Sequence, residues 1–479
     1  MNMRSRVLLA LRWSAGLRLI SQVATWAMTL IVVRLLSPSD YGLMALASIV
    51  LAFLLMINEL GIGPALVQKK SLDDNDLRLA FGIALVSNLC LLAIVWFASP
   101  LVAAFFEEPE LVPIIRTLSI QFVLVPLAVI PEAMLMRNLD LKKKSIVNLV
   151  ANVAGGVATL AFAIGGHGVW SLVWGSLVLM ALRSFGYLAA APYFAMPQFS
   201  ISKAKGLLSF GALITADRLL WFVYSRADVI LIGKVLGTEI LGVYSVAMQI
   251  ASLPLQKVNS VLNEVAFPAF AMIQNDPNLV RSYLKKATRM ISFLAFPIFV
   301  GISSVAPSFV HVVLGEQWTA SILPLATLAC IMPLRMISNI VTSTLQGIGR
   351  VGISVGNLLY ASVIIPVAIY IGSQYGLIGV CIAWLTAFPL VTIIEIVRSK
   401  PYVRMGIGDF LQVFSRPLLG SAIMWGCVYV LTNLDVEFSE TILGLALLVT
   451  SGALVYFVFS FSFNRADLRE MFALRSLSG

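Results

Sequence analysis

The chain has 479 residues, of which 59% are hydrophobic and only 12% are charged, and its formal net charge is +10. A soluble domain usually carries about twice that proportion of charged residues. This composition excludes an ordinary soluble enzyme, a disordered protein and a disulfide-rich secreted scaffold, and it predicts a polytopic membrane protein. We expect neither disulfides nor a metal site, because all the cysteines lie in apolar runs without metal-ligand spacing: Cys90, Cys330, Cys381 and Cys427.

Apolar runs of about 20 residues, long enough to span a membrane as helices, recur along the whole chain. Arg12 and Arg18 interrupt the first run, which argues against a cleaved signal peptide. A glycine-rich break at 165–168 predicts a tight turn between the fifth and sixth spans. The fourteen predicted spans are 12–34, 41–65, 79–100, 113–135, 146–165, 168–192, 207–232, 240–266, 289–312, 321–344, 353–373, 376–397, 414–432 and 441–463.

Basic residues collect on one side of this arrangement. With the N-terminus inside, the inner segments carry 24 lysines and arginines, whereas the outer segments carry only Arg34, Arg116 and Lys234. Cytoplasmic loops are enriched in lysine and arginine, so the sequence predicts that both termini are cytoplasmic. The positive net charge is therefore interpreted as a topology signal and not as a sign of nucleic-acid binding.

The chain resembles itself at a shift of about 200 residues. Residues 17–47 align without a gap with residues 217–247, and this alignment pairs Gly42 with Gly242. Further along, the shift becomes 207 and then 208 residues. Each half contains six spans in the same orientation, which is a parallel repeat typical of transporters that hold substrate between two lobes and alternate in access.

The repeat predicts an all-α membrane fold with two six-helix lobes and two extra helices at the C-terminus. The expected domains are an N-terminal lobe at 1–200, a C-terminal lobe at 201–400, and the two additional helices with a cytoplasmic tail at 401–479.

Polar residues at membrane depth lie in stripes on the first, seventh and eighth spans. Such residues are costly in a bilayer and usually face a cavity or a partner. The arginines favour an anionic ligand, because their guanidinium groups match phosphate and carboxylate oxygens. Structural ion pairs, snorkelling and interhelical hydrogen bonds are the alternative explanations. The candidate substrate-binding residues are Arg18, Gln22, Arg218, Arg226, Gln249, Gln256, Asn259 and Arg335.

Motifs of ATP hydrolysis and of zinc proteases do not occur in the chain. It contains no Walker A or HExxH pattern and no cluster of histidines and cysteines. We therefore expect neither an enzyme nor a cofactor.

Several segments together resemble the polysaccharide-transporter (Wzx-like) branch of the multidrug/oligosaccharidyl-lipid/polysaccharide exporter superfamily, and in particular exporters of the colanic acid type. The resemblance covers the chain from about residue 5 to past residue 400. The segments that carry it lie at 13–15, 34–42, 59–68, 210–217, 232–237, 241–244, 267–276 and 314–318.

This resemblance implies a cavity lined by helices 1, 2, 7 and 8, which agrees with the polar stripes. It implies an undecaprenyl-diphosphate-linked oligosaccharide as substrate, moved across a bacterial inner membrane, with Arg18, Arg218 and Arg226 as candidates to hold the diphosphate. Contacts with the polysaccharide polymerase or export machinery are also expected. Coupling to an H⁺ or Na⁺ gradient is implied as well, and the candidate carboxylates are Glu59, Asp217, Asp228 and Glu264.

Four alternatives stay open at this stage. A multidrug antiporter of the same superfamily would share the fold but would favour acidic and aromatic cavities. A peptidoglycan lipid flippase would differ mainly in its substrate. A membrane-embedded polymerase or ligase would need a long outer loop, whereas the longest one here, at 101–112, is short. A purely structural membrane protein would leave the polar stripes unexplained.

Overall fold

The computed structural model describes residues 16–17, 21–22, 24–58, 66–67, 69, 72–193, 196–198 and 201–463, except for the side chains at 57–58, 201–219 and 257–265. These residues form helices joined by short turns, without a β-strand in the described part. Six of the candidate side chains lie outside the described ones: Arg18, Glu59, Asp217, Arg218, Asn259 and Glu264.

The first part of the chain contains seven described helices. Positive φ angles at Gly166 and Gly168 form the turn that the glycine-rich break predicts between α6 and α7. The helices are α1 (Ala24–Leu35), α2 (Pro38–Asn58), α3 (Asp74–Phe106), α4 (Leu111–Leu118), α5 (Gln121–Arg137), α6 (Leu141–Ile164) and α7 (Val169–Ala190).

Seven further helices follow. Short helical turns at Ala306–Phe309, Val310–Leu314 and Glu316–Ser321 connect the second and third of them. The helices are α8 (Ile201–Met272), α9 (Pro277–Ser304), α10 (Ile322–Gly347), α11 (Val351–Ser373), α12 (Gly376–Val403), α13 (Ile407–Leu434) and α14 (Ile442–Phe463).

Within the described residues, twelve helices are long and apolar enough to cross a membrane, and α1 adds a shorter apolar helix. One of the twelve, Leu220–Gln256, contains a break, because Gly237 has the non-helical angles φ 82° and ψ 176°. A residue with a Cβ rarely adopts such a positive φ. Glycine here therefore divides α8 into two limbs, and the pattern is consistent with the fourteen predicted spans.

The chain divides into two compact units. The first comprises the described residues up to Phe222 together with the turn Gly237–Gly242, and the second comprises Val223–Leu236 and the described residues from Val243 onward. In the second unit α12 packs against α9, α10, α11 and α13.

Two glycines of the first unit allow a close backbone approach that follows the repeat. A Cβ at Gly42 would overlap the carbonyl oxygen of Thr238, and a Cβ at Gly242 would overlap the carbonyl oxygen of Pro38. Pro38 and Thr238 are themselves equivalent under the shift of 200 residues. The contact is therefore reciprocal, and both positions require glycine because there is no room for a Cβ.

We expect Gly242→Ala to destabilise the protein by about 1–3 kcal/mol, because backbone must move to admit the methyl group. Gly42→Ala should have a similar effect. Gly426→Ala on α13 is the matched control, since a Cβ there meets nothing within 4 Å. The measurement is the apparent Tm of the purified protein in detergent. Equal Tm values for the Gly242 and Gly426 variants would contradict this explanation.

Candidate functional site

The polar stripe of the first span is partly used for packing inside the first unit. Asn152 Nδ2 on α6 donates a hydrogen bond to the Ser21 hydroxyl at 3.2 Å. The Thr29 hydroxyl donates to the Thr25 carbonyl oxygen at 2.8 Å. Gln22 is partly exposed. Ser21 therefore acts as an interhelical hydrogen-bonding residue, while Gln22 keeps part of its surface accessible.

The stripe on the second limb of α8 is more accessible. Gln249 and Gln256 are exposed, and they lie seven residues apart on one face of the limb. Ser252 lies between them. Its hydroxyl donates to the backbone carbonyl oxygen of Gln249 at 3.1 Å and accepts from the side-chain Nε2 of Gln256 at 3.1 Å. A line of exposed amides on a membrane-crossing helix needs water or a polar ligand beside it.

Asp228 lies at the centre of a buried polar network in the second unit. Its carboxylate accepts a hydrogen bond from the Tyr244 hydroxyl at 2.7 Å and from the backbone N–H of Val229 at 2.8 Å. Trp384 Nε1 on α12 in turn donates to the Tyr244 hydroxyl oxygen at 2.9 Å. A short hydrogen bond to a carboxylate is stronger than a neutral one, so this network ties α12 to both limbs of α8.

The break at Gly237 explains why these residues meet. Asp228 precedes Leu236 by eight residues, and Tyr244 follows Leu236 by eight residues. When the chain reverses at this point, residues that lie equally far before and after it in the sequence come to lie beside each other on the two limbs. Since Asp228 and Tyr244 are both buried, the hydrogen bond between them is shielded from solvent.

Arg335 of α10 lies beside this network. Its guanidinium is over the rings of Trp384 and Phe388, at 5.5 and 5.9 Å from their centroids. Its Nη1 approaches the Met248 sulfur at 3.9 Å. Its positive charge also acts on Asp228. The side chain thus has aromatic and electrostatic partners inside the second unit, whereas binding of substrate by Arg335 remains a prediction.

Arg226 takes a different position from Asp228, although both lie on the first limb of α8. It is exposed, while Asp228 is buried. This difference agrees with the helical periodicity, which places the two side chains on roughly opposite faces. A substrate-binding role for Arg226 therefore also stays a prediction.

Sequence periodicity missed a second buried carboxylate, Glu395 on α12. Only 5% of it is exposed, and its Oε1 accepts a hydrogen bond from the Thr342 hydroxyl at 3.2 Å. The Ser338 hydroxyl lies nearby but forms no hydrogen bond of good geometry with it. Glu395 was missed because the helix before it is mostly apolar and the predicted span ends at 397, before Arg398 and Lys400. The signal that could have identified it is the one acidic residue of α12, which lies about eight residues inside the helix end.

Metal binding has little support among the described residues, where no group of three or more His, Cys, Asp or Glu side chains could hold an ion. The second unit contains two buried carboxylates, Asp228 and Glu395, and one half-buried guanidinium, Arg335. Such arrangements in membrane helices are typical of transport proteins.

Two solved structures share the fold of this chain. The chain is similar to the lipid II flippase MurJ in an inward closed conformation, with a TM-score of 0.75, 16% identity and coverage of 95% of this chain and 99% of that one. It is also similar to an inward-facing multidrug resistance MATE family transporter of the MOP superfamily, with a TM-score of 0.60, 15% identity and coverage of 80% and 94%. The chain therefore has the all-helical, multi-pass membrane fold of these two proteins.

Sequence comparisons establish the family. Residues 31–323 match the family described as "Polysaccharide biosynthesis protein". The lipopolysaccharide biosynthesis protein WzxC of Escherichia coli (strain K12) is 28% identical, over 88% of this chain and 83% of that protein. The teichuronic acid biosynthesis protein TuaB of Bacillus subtilis (strain 168) is 28% identical, over 84% of each. The chain therefore belongs to the polysaccharide biosynthesis protein family, which agrees with the resemblance of its sequence segments to polysaccharide transporters.

Removing the Tyr244 hydroxyl should destabilise the second unit. We expect Tyr244→Phe to lower stability by about 1.5–3 kcal/mol, since a buried carboxylate loses a hydrogen bond to a charged group. Tyr429→Phe, at an exposed tyrosine of α13, is the control and should be neutral. Thermal unfolding of both purified variants measures the difference. A Tyr244 variant as stable as the control would show that the network contributes little.

Proposed function

We propose that this protein moves undecaprenyl-diphosphate-linked oligosaccharide units from the cytoplasmic to the outer leaflet of a bacterial inner membrane, for the synthesis of an extracellular polysaccharide. Membership of the polysaccharide biosynthesis family supports the substrate class. The observation that carries the proposal is the pair of exposed amides of Gln249 and Gln256, with the half-buried Ser252 between them, on a limb of α8 long and apolar enough to cross the membrane.

The chemistry of this line suits a sugar. Side-chain amides offer both donors and acceptors, which match the hydroxyl groups of an oligosaccharide. The lipid tail needs no such partner, because it can remain among the acyl chains while only the head group crosses. Alternating access then requires a polar path for the head group and no chemical step, which agrees with a transporter and not an enzyme.

Arginines supply the complementary charge for the diphosphate. Arg18, Arg218 and Arg226 all belong to membrane-spanning segments of the sequence. A guanidinium can bind two phosphate oxygens at once. We therefore assign the diphosphate to these arginines and the sugar to the amides of α8.

The first test uses a strain in which the gene is deleted and lipid-linked intermediates are extracted. Complete repeat units should accumulate on the cytoplasmic leaflet, and polymer should be absent from the cell surface. Reintroduction of the gene should restore the polymer. If the intermediates do not accumulate, or if the repeat units are incomplete, the flippase assignment is wrong.

The second test addresses the anion-binding arginines. We expect Arg18→Ala or Arg218→Ala to abolish polymer export while the protein still inserts in the membrane, because the diphosphate loses a bidentate partner. Arg18→Lys should retain part of the activity, since it keeps the charge. Arg416→Ala, at an exposed arginine of α13, is the control and should export normally. Normal export by both the Arg18 and Arg218 variants would contradict the assignment.

A further inference from the structure

The second buried carboxylate, Glu395, has a setting different from that of Asp228. Asp228 accepts two hydrogen bonds and feels the charges of Arg335 and Arg226. Glu395 accepts a hydrogen bond from the hydroxyl of Thr342, and among the described side chains no basic group forms an ion pair with it. An ionised carboxylate without a cation is very unfavourable at membrane depth.

Helices α10 and α12 pack against each other, and each carries polar residues on the face that meets the other. On α10 the residues are Arg335, Ser338 and Thr342, at a spacing of three and then four residues, so they share one face. On α12 the corresponding face carries Trp384, Phe388, Thr392, Glu395 and Ser399. The aromatic residues of this face hold Arg335, and Glu395 meets the hydroxyls one to two turns further along.

Unpartnered hydroxyls accompany Glu395. Ser399 lies one helical turn beyond it, is only 1% exposed, and its Oγ has no hydrogen-bond partner among the described residues. The Ser338 Oγ likewise lacks a partner of good geometry in this part of the chain. Buried hydroxyls without partners are uncommon in proteins. Around a carboxylate they provide donors and acceptors for either of its protonation states.

The other charged groups near this part of α12 are engaged elsewhere. Arg398, one turn from Glu395, donates from Nε to Asn357 Oδ1 at 2.8 Å and lies over the ring of Tyr360 on α11. On α9, two basic residues contact polar groups of α13: Arg281 and Lys285 bind Asp409 and Gln412. Arg335 on α10 and Tyr224 and Asp228 on α8 remain as the titratable or charged neighbours.

Tyr224 lies near the charged groups of this part of the second unit. The charges of Arg335, Glu395 and Asp228 all act on its phenol. The three charged groups sum to a formal charge of −1, because two carboxylates accompany one guanidinium. Asp228 has the stronger set of donors, so the excess negative charge falls on Glu395.

We propose that Glu395 is a proton-binding site of the second unit, which takes up and releases one proton in each transport cycle. A proton from solvent water forms an O–H bond to the carboxylate when the site is loaded, and the same bond breaks when the proton returns to water on release. The hydroxyls of Ser338 and Thr342 can stabilise both forms, because each can donate or accept. This inference rests on the proposed function, since it adds the coupling ion to that transport.

The first arm of the test needs no substrate. The full-length protein in lipid nanodiscs is titrated from acidic to alkaline pH, and infrared difference spectra record the C=O stretch of protonated carboxyl groups. A band that disappears on alkalinisation should be present in the wild type, absent from Glu395→Gln and retained in Glu437→Gln, an exposed control. Absence of such a band in the wild type, or its retention in Glu395→Gln, would overturn the proposal.

A sodium arm separates the two candidate ions. Replacing K⁺ by Na⁺ at constant pH should leave the band unchanged. Loss of the band on addition of Na⁺ would overturn the proton assignment in favour of a sodium site.

The last arm measures export in the deletion strain. Glu395→Gln, which mimics a permanently protonated side chain, should lose export, and Glu395→Asp should retain part of it. Full export by Glu395→Gln would mean that transport does not require Glu395 to bind and release a proton, and it would overturn the coupling role. Because the spectroscopic arm requires no transport, a failure of the proposed substrate assignment would leave its result intact.

Discussion

The hydrocarbon core of a membrane offers no hydrogen bonds, so the backbone polar groups of this chain that enter it need partners within the protein. The backbone satisfies this requirement by forming helices throughout the described residues. Many serine and threonine side chains satisfy it by donating to the carbonyl of the preceding turn, as Thr159 does to Gly155 and Thr344 does to Ile340. Charged side chains have no such local solution. Their few positions therefore determine which helices must meet.

The Asp228 network shows how one charge organises a unit. To bury that carboxylate, the chain brings together both limbs of α8 and helix α12, with Tyr244 and Trp384 as successive donors. The turn at Gly237 makes this possible, since it reverses the chain midway between Asp228 and Tyr244. If α8 were broken at another residue, other positions of the two limbs would lie side by side, and the Asp228 carboxylate would lose its hydrogen bond from the Tyr244 hydroxyl. The local conformation of one glycine thus supports a contact between distant helices.

Much of the fold could be predicted from the sequence, because the lengths and apolar composition of helices are local properties. The short turn at Gly165–Gly168 is one example, and the shared helix face of Tyr224 and Asp228 is another. The partners of that face could not be predicted in the same way. Periodicity shows that Tyr224 and Asp228 share a face, but it does not show that Trp384 and Arg335 lie opposite. Glu395 was missed for the same reason, since its hydroxyl neighbours come from another helix.

The repeat makes the distribution of charge informative. Under the shifts of 200, 207 and 208 residues, the positions of Asp228, Arg335 and Glu395 correspond to Met28, Ala128 and Tyr187.

None of these three counterparts is charged. At the position of Glu395 the first unit has a tyrosine, whose hydroxyl donates to Asn148 at 2.9 Å. A neutral hydrogen bond can thus fill this place between helices, which means that packing alone does not require a carboxylate there. The buried charges are additions to one copy of a shared helical plan. Because a buried carboxylate is costly and a neutral residue fills the equivalent place in the first unit, the presence of Glu395 agrees with the proposed role in transport.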